Sequence, residues 1–160
     1  MLTLALALTL AFPAQGPALP ARGVLVPGAS LAGVRLGDTD ANVRARLGGR
    51  FRVCRSCSVS TWYYTYPRGE PLGLGVTFRR RRVSAVFTLG APSGWRTREG
   101  LHVGETIDKA QRLYGRLAWR VCIGYGALSM HRPDAVTSIY TTGEVVYGFA
   151  LSLPSEPICQ

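Results

Sequence analysis

"GVRLGDTDANVRARLG", Gly33 to Gly48, and "GLHVGETIDKAQRLYG", Gly100 to Gly115, carry one pattern twice, offset by 67 residues. Gly33, Gly37, Thr39 and Gly48 recur as Gly100, Gly104, Thr106 and Gly115, and Asp38 is answered by Glu105. Each copy has the parts of a short helix. The chain can turn freely at Gly37 and Gly104. Thr39 and Thr106 stand where an N-cap hydroxyl accepts from the first free N–H groups. Asp40 and Asp108 suit the positive helix end. Val43 with Leu47, and Ala110 with Tyr114, are four apart and share one face. Gly48 and Gly115 then close the helices. Helices this short do not hold without packing on something.

β-branched and aromatic content with alternation places strands after each helix. They span residues 50–54, 61–66, 74–78 and 83–89 in the first half, and 117–122, 126–130, 135–140 and 145–152 in the second. The last hairpins align at an offset of 62, Phe78 with Tyr140 and Val83 with Val145, so "FRRRRV" lies opposite "YTTGEV". Arg79, Arg80, Arg81 and Arg82 then sit at a hairpin tip. The expected fold is α+β: two tandem units, each a short helix followed by about four antiparallel strands. The units cover residues 23–92 and 93–160, after a signal peptide and leader over 1–22.

That leader, "MLTLALALTLAFPAQGPALPARG", has an apolar run from Leu2 to Phe12 followed by Pro and small residues, with cleavage sites after Ala14, Ala18 or Ala21. The run is too short to span a bilayer. It lacks a basic lead-in, and the competing reading is a buried N-terminal element. Export, extracellular or periplasmic, with a mature protein free of the membrane, is the expectation.

The 160 residues suffice for one domain with a core or two small units sharing one, and 47% apolar content argues against disorder. The net charge of +10 favours an acidic partner. Only Lys109 among the 19 basic residues is a lysine, and the arginines are dispersed. Arg35, Arg44, Arg46, Arg50, Arg52 and Arg55, with the Arg79–Arg82 tip, are the candidates for a polyanion. Export and the wide angle between Arg44 and Arg46 on their helix weigh against nucleic acid.

The G-[VL]-x-[LV]-G-[DE]-T-x-x-x-[VA]-x-x-x-[LY]-G spacing, followed by strands ending in a hairpin, resembles the repeat of β-lactamase-inhibitory-protein-like folds. It is similar also to the helix-plus-sheet unit of SmpA/OmlA-type outer-membrane assembly lipoproteins, although no lipidation cysteine is present. In the tandem inhibitors two such units form a concave sheet that grips a protein. The resemblance therefore implies protein binding, and it speaks to fold more than function. Segments of the "TWYYTY" and "GWRTREGLHVGE" kind also bring the chain close to exported bacterial proteins that offer no activity to carry over.

Four cysteines in an exported chain favour disulfides. "CRSC" follows a strand, not the helix N-terminus that thioredoxin chemistry needs. A four-cysteine zinc site would need Cys122 and Cys159 to converge on Cys54 and Cys57, without a second C-x-x-C. Of the three connectivities, pairing within each half is the simplest: Cys54–Cys57 and Cys122–Cys159. "STWYYTY" puts Trp62, Tyr64 and Tyr66 on one strand face and Tyr63 on the other. One face belongs to the core; the other is a candidate protein-binding surface, unless both are covered.

His102 and His131 stand alone, G-x-S-x-G is missing, and "GLGVTF" precedes no helix. No catalytic residue, metal ligand or cofactor is assigned. The expected function is an exported, non-catalytic binding protein that engages another protein through aromatic residues. Binding of an anionic polymer or membrane surface through Arg79–Arg82 is the alternative, and an uncharacterised hydrolase the third.

Overall fold

The computed structural model describes residues 22–64, 73–90 and 94–160. The leader read over residues 1–22 lies outside the described residues as far as residue 21, as does Tyr66, while Arg22 opens the first described strand. Both helices form where their caps predict, α1 over Asp40–Leu47 and α2 over Ile107–Tyr114, and Gly48 and Gly115 close them at φ 83° and 73°. Their N-termini differ. Thr39 Oγ1 accepts from the Asn42 N–H at 3.2 Å, whereas the Thr106 side chain caps nothing.

The acid before each threonine braces the preceding turn. Asp38 accepts the Arg35 N–H and Glu105 accepts the His102 N–H, at 2.9 and 2.7 Å. Burial pushes the Glu105 carboxyl up, but the His102 N–H and the Lys109 ammonium outweigh it and hold it below its ordinary value.

The strands run β1 (Arg22–Val26), β2 (Ser30–Leu31), β3 (Arg52–Val53), β4 (Ser60–Tyr64), β5 (Gly73–Arg79) and β6 (Arg82–Leu89). They continue as β7 (Gly94–Thr97), β8 (Ala118–Cys122), β9 (Tyr125–His131), β10 (Val136–Thr142) and β11 (Val145–Ser152). β3 to β6 and β8 to β11 fall on the expected stretches, yet the architecture is not two α+β units. It is mostly β. The eight strands form one antiparallel sheet in the order β3-β4-β5-β6-β11-β10-β9-β8.

The expectation fails for two reasons. β6 and β11, each read as the last strand of its own unit, pair with each other from Ala85↔Ser152 to Leu89↔Gly148, so no edge separates the halves. In addition, β1 and β7 pair in parallel and form a second sheet, β2-β1-β7, from both halves. Among the described residues, the two eight-residue helices are minor against eleven strands.

The helices and the small sheet contribute Val43, Leu47, Ala110, Leu25 and Trp95 to the main core, against Trp62, Tyr64, Val76, Val86, Ile139, Phe149 and Leu151 of the large sheet. Trp95 is fully buried; replacing such a residue by Ala costs about 3–5 kcal/mol.

The hairpin alignment also needs correction by one residue. Arg79 pairs with Arg82 and Thr142 with Val145, so the tips are Arg80–Arg81 and Gly143–Glu144. A slip of one flips every side chain across the sheet. Phe87 accordingly lies on the outer face, paired with Ala150, while Phe149 is in the core.

Candidate functional site

The outer face of the large sheet, opposite the helices, holds a second cluster: Phe87, Ala127, Tyr140, Ala150 and Cys122, with Tyr63, Tyr125, Tyr147, Ile158 and Cys159 packed against it. What covers this face is the tail after β11. The Leu153 N–H donates to the Ser84 carbonyl at 2.8 Å and starts the tail over β6. Tyr140 Oη donates to the Ile158 carbonyl at 2.7 Å. Tyr125 Oη donates to the Gln160 carbonyl and accepts from the Gln160 N–H, at 2.9 and 2.7 Å. The Cys122–Cys159 disulfide fastens the end. Burial pushes the Tyr140 phenol well above its ordinary value, with Tyr125 and Tyr147 adding to the effect, so it stays a donor.

Between the tail and the loop before β4 lies a groove of about 290 Å³. Its floor is Thr61 and Tyr63 of β4, Thr77 of β5 and Phe87 of β6. Phe87 lies flat over β5 because position 75 is glycine; a Cβ there would stand 2.2 Å from the Phe87 ring. Tyr63 meets Phe87 edge-on, with centroids 6.2 Å apart. The Thr61 and Thr77 hydroxyls join across the strands at 3.2 Å.

One wall is the loop Cys57–Val59, held by Cys54–Cys57; the other is Pro157, Cys159 and Gln160 of the tail. Arg79 closes one end, its guanidinium donating to the carboxylate of Glu156, whose side chain is only 3% exposed. That hydrogen bond, with the charge beside it, raises the Arg79 pKa.

The sequence candidates divide around this groove. Tyr63, Arg79, Cys57 and Cys159 line it together. Trp62 and Tyr64 do not reach it. They face the core at 7% and 1% exposure, with Trp62 stacked on Phe51 at 3.9 Å. As surface anchors these two are therefore corrected: the helix face of β4 is covered by α1, whose Arg44 guanidinium lies 4.6 Å from the Trp62 ring centroid. Burial pushes the Tyr64 phenol up to about 12, against the opposing pull of Arg44.

The arginine stretch is not one patch either. Arg79 holds Glu156, Arg82 Nη1 donates to the Gly37 carbonyl at 3.2 Å, and Arg81 stands 3.6 Å from Asp40. Arg80 makes no hydrogen bond or ion pair among the described residues. Glu156, Phe87 and Gln160 were missed by sequence reasoning; an acid three residues before Cys159 was the available signal.

Chemically the groove offers two aromatic surfaces, threonine hydroxyls and a neutralised ion pair, which suits a side chain or short segment and no charge in particular. Ser129 Oγ and His131 Nε2 are 3.1 Å apart elsewhere on β9, with Ser129 Oγ also 3.3 Å from the Ala118 carbonyl. Neither lines the groove, nor does His102. Among the described residues no three His, Cys, Asp or Glu gather as metal ligands, and no helix is long and apolar enough to cross a membrane.

Neither a protein-family model nor a curated protein matches the chain in sequence. In fold it is similar to an extracellular protein containing a SCP domain from Bacillus anthracis str. Ames, with a TM-score of 0.55 at 10% identity. The match covers 74% of this chain and 44% of that one, so the chain spans less than half the length of that protein. This likeness speaks neither for nor against the resemblance to the β-lactamase-inhibitory-protein and SmpA/OmlA folds. At this identity what it establishes is a shared fold.

Proposed function

We propose that this is an exported protein that acts by binding, without catalysis, and that the outer-face groove receives a segment of a partner protein. Two disulfides with no free cysteine suit an oxidising compartment, and the structural neighbour is itself extracellular. The observation that carries the binding reading is the way the groove is walled. Both disulfides border a pocket floored by Tyr63 and Phe87, so its shape is set before a ligand arrives. Preorganisation of this kind lowers the ordering cost of association, and a half-buried Tyr is a frequent anchor.

The test is a photo-crosslinker placed at Val59, on the groove rim, followed by affinity measurement on the protein it captures. Ser58→Trp, which fills the groove from an exposed position, and Tyr63→Ala should each weaken that partner about tenfold or more. Equal binding by both variants would remove the groove from the proposal.

A second reading rests on Arg80 and Arg81. Both have positive φ, 49° and 63°, at a two-residue tip where Asn-Gly is the low-strain choice. Strain of this sort, kept with two exposed cations, favours an anionic polymer or envelope surface. Capture on heparin near physiological salt that is lost in Arg80→Ser/Arg81→Ser, with the groove variants unaffected, would put this reading first.

A further inference from the structure

The large sheet ends differently on its two sides. At β3 the edge is two residues long and runs straight into the Cys54–Cys57 loop. The neighbouring apolar surface is closed there, with Phe51 stacked on Trp62 and Arg44 4.7 Å from the Phe51 centroid. Short, charged, capped edges are how sheets avoid pairing with other chains.

β8 is less protected: it carries one charge, Arg120, and only its Cys122 end is held, by the bridge to Cys159, whose sulfur lies 3.8 Å from the Val121 carbonyl. It is five residues long, "AWRVC", with the first four exposed, and it is the last strand in the sheet order. Its side chains alternate: Trp119 and Val121 lie on the helix side, Ala118, Arg120 and Cys122 on the outer side. Trp119 is 53% exposed and Val121 77%. The exposed indole is not loose. It rests on the backbone of Gly126 in β9, where a Cβ would stand 2.2 Å from Trp119 Cη2. A pinned aromatic costs little further ordering when something packs on it.

Charge decides what that something is. From Lys109 to Pro133 the sequence has no acidic residue, while Arg112, Arg116 and Arg120 are exposed and make no ion pair among the described residues. A second copy brought antiparallel to β8 would set this cationic strand against itself, and like charges across a ladder destabilise it. A partner strand with acids on one face and apolar side chains on the other meets both faces of β8 and the backbone groups of its free edge, apart from the Val121 carbonyl beside the Cys159 sulfur.

We propose that the free edge of β8 is a strand-addition site for an extended segment of another protein that alternates apolar and acidic residues. It is a surface separate from the outer-face groove and does not depend on it.

The probe is fluorescein-labelled acetyl-Glu-Val-Glu-Ile-Glu-Val-Glu amide, followed by anisotropy against the full chain at physiological salt. Saturable binding is expected, weakened about tenfold or more by Arg120→Glu and by Trp119→Ala. It should be lost for the same peptide N-methylated at alternate residues, and for its lysine-for-glutamate counterpart. Absence of binding, equal binding by either control peptide, or indifference to both variants overturns the proposal. So does a concentration-dependent dimer in sedimentation that Val121→Glu converts to monomer, which gives the edge to a second copy.

Discussion

The β5–β6 and β10–β11 hairpins are built to the same plan and carry opposite chemistry at their tips. Each has a bulge two residues before its closing pair's first member, at Thr77/Phe78 and at Tyr140/Thr141. Each also takes a bridge from the residue at a helix N-cap position, Thr39 to Arg82 and Thr106 to Val145. At the second tip Gly143 supplies φ 58° with nothing within 4 Å of where a Cβ would be, and Glu144 follows. At the first, Arg80 and Arg81 take positive φ with full side chains. The first corner thus takes positive φ at two residues with side chains and is strained, whereas the second takes it only at a glycine and is relaxed. The first is tied to the tail by an ion pair beside its tip, Arg79 with Glu156, and the second by a hydrogen bond farther back, from Tyr140 to the Ile158 carbonyl. What the backbone requires at a corner and what the residue there is for are separable questions, and only the relaxed corner is explained by the backbone alone.

The largest way to break this comparison is to release the tail. Cys122→Ser/Cys159→Ser opens a loop with a sequence separation of 37, which should cost about 4 kcal/mol, read as a lowered urea midpoint. Cys54→Ser/Cys57→Ser, with a separation of 3, should cost about half as much. Near-equal losses would mean that the tail's hydrogen bonds, not its disulfide, hold it down.

Exchanging the tips is the next test. Arg80→Asn/Arg81→Gly should stabilise the protein by about 1–2 kcal/mol, and Gly143→Arg should destabilise it by about 1 kcal/mol. A loss on the first exchange would show that the arginines hold internal contacts worth more than their strain.

The smallest effect separates the two helix starts. Thr39→Ala should cost about 1 kcal/mol and Thr106→Ala only about 0.3 kcal/mol, because only the first hydroxyl caps a backbone N–H.

Much of this molecule is local, and the local part was legible. Caps, closing glycines and period-2 alternation place α1, α2 and β3–β6 and β8–β11, since each depends on neighbours a few residues away. The simplest connectivity, pairing within each half, likewise pointed to Cys54–Cys57 and Cys122–Cys159. What could not be read was pairing between distant segments. "RGVLV" and "GWRT" were not read as strands, and their parallel register joins segments about 70 residues apart. The β6–β11 junction, which turns two supposed units into one sheet, involves no residue that alternation would single out. The groove was half legible for the same reason. Tyr63 and Arg79 stand out in sequence, but their partners Phe87 and Glu156 become neighbours only after a face is chosen and the tail is laid down.

The β1–β7 pairing fixes a sequence of events as the chain forms. Leu25 and Val26 have partners nearby in β2, but Arg22 to Leu25 complete their parallel ladder only when Gly94 to Thr97 exist, so the first described strand waits for the second half to be made. A chain cut between β6 and β7 would leave each fragment with half of two interfaces, β1 against β7 and β6 against β11. Fragments of that kind are suited to recombine with each other, which makes this bond a natural place to split the protein into a two-piece reporter of association.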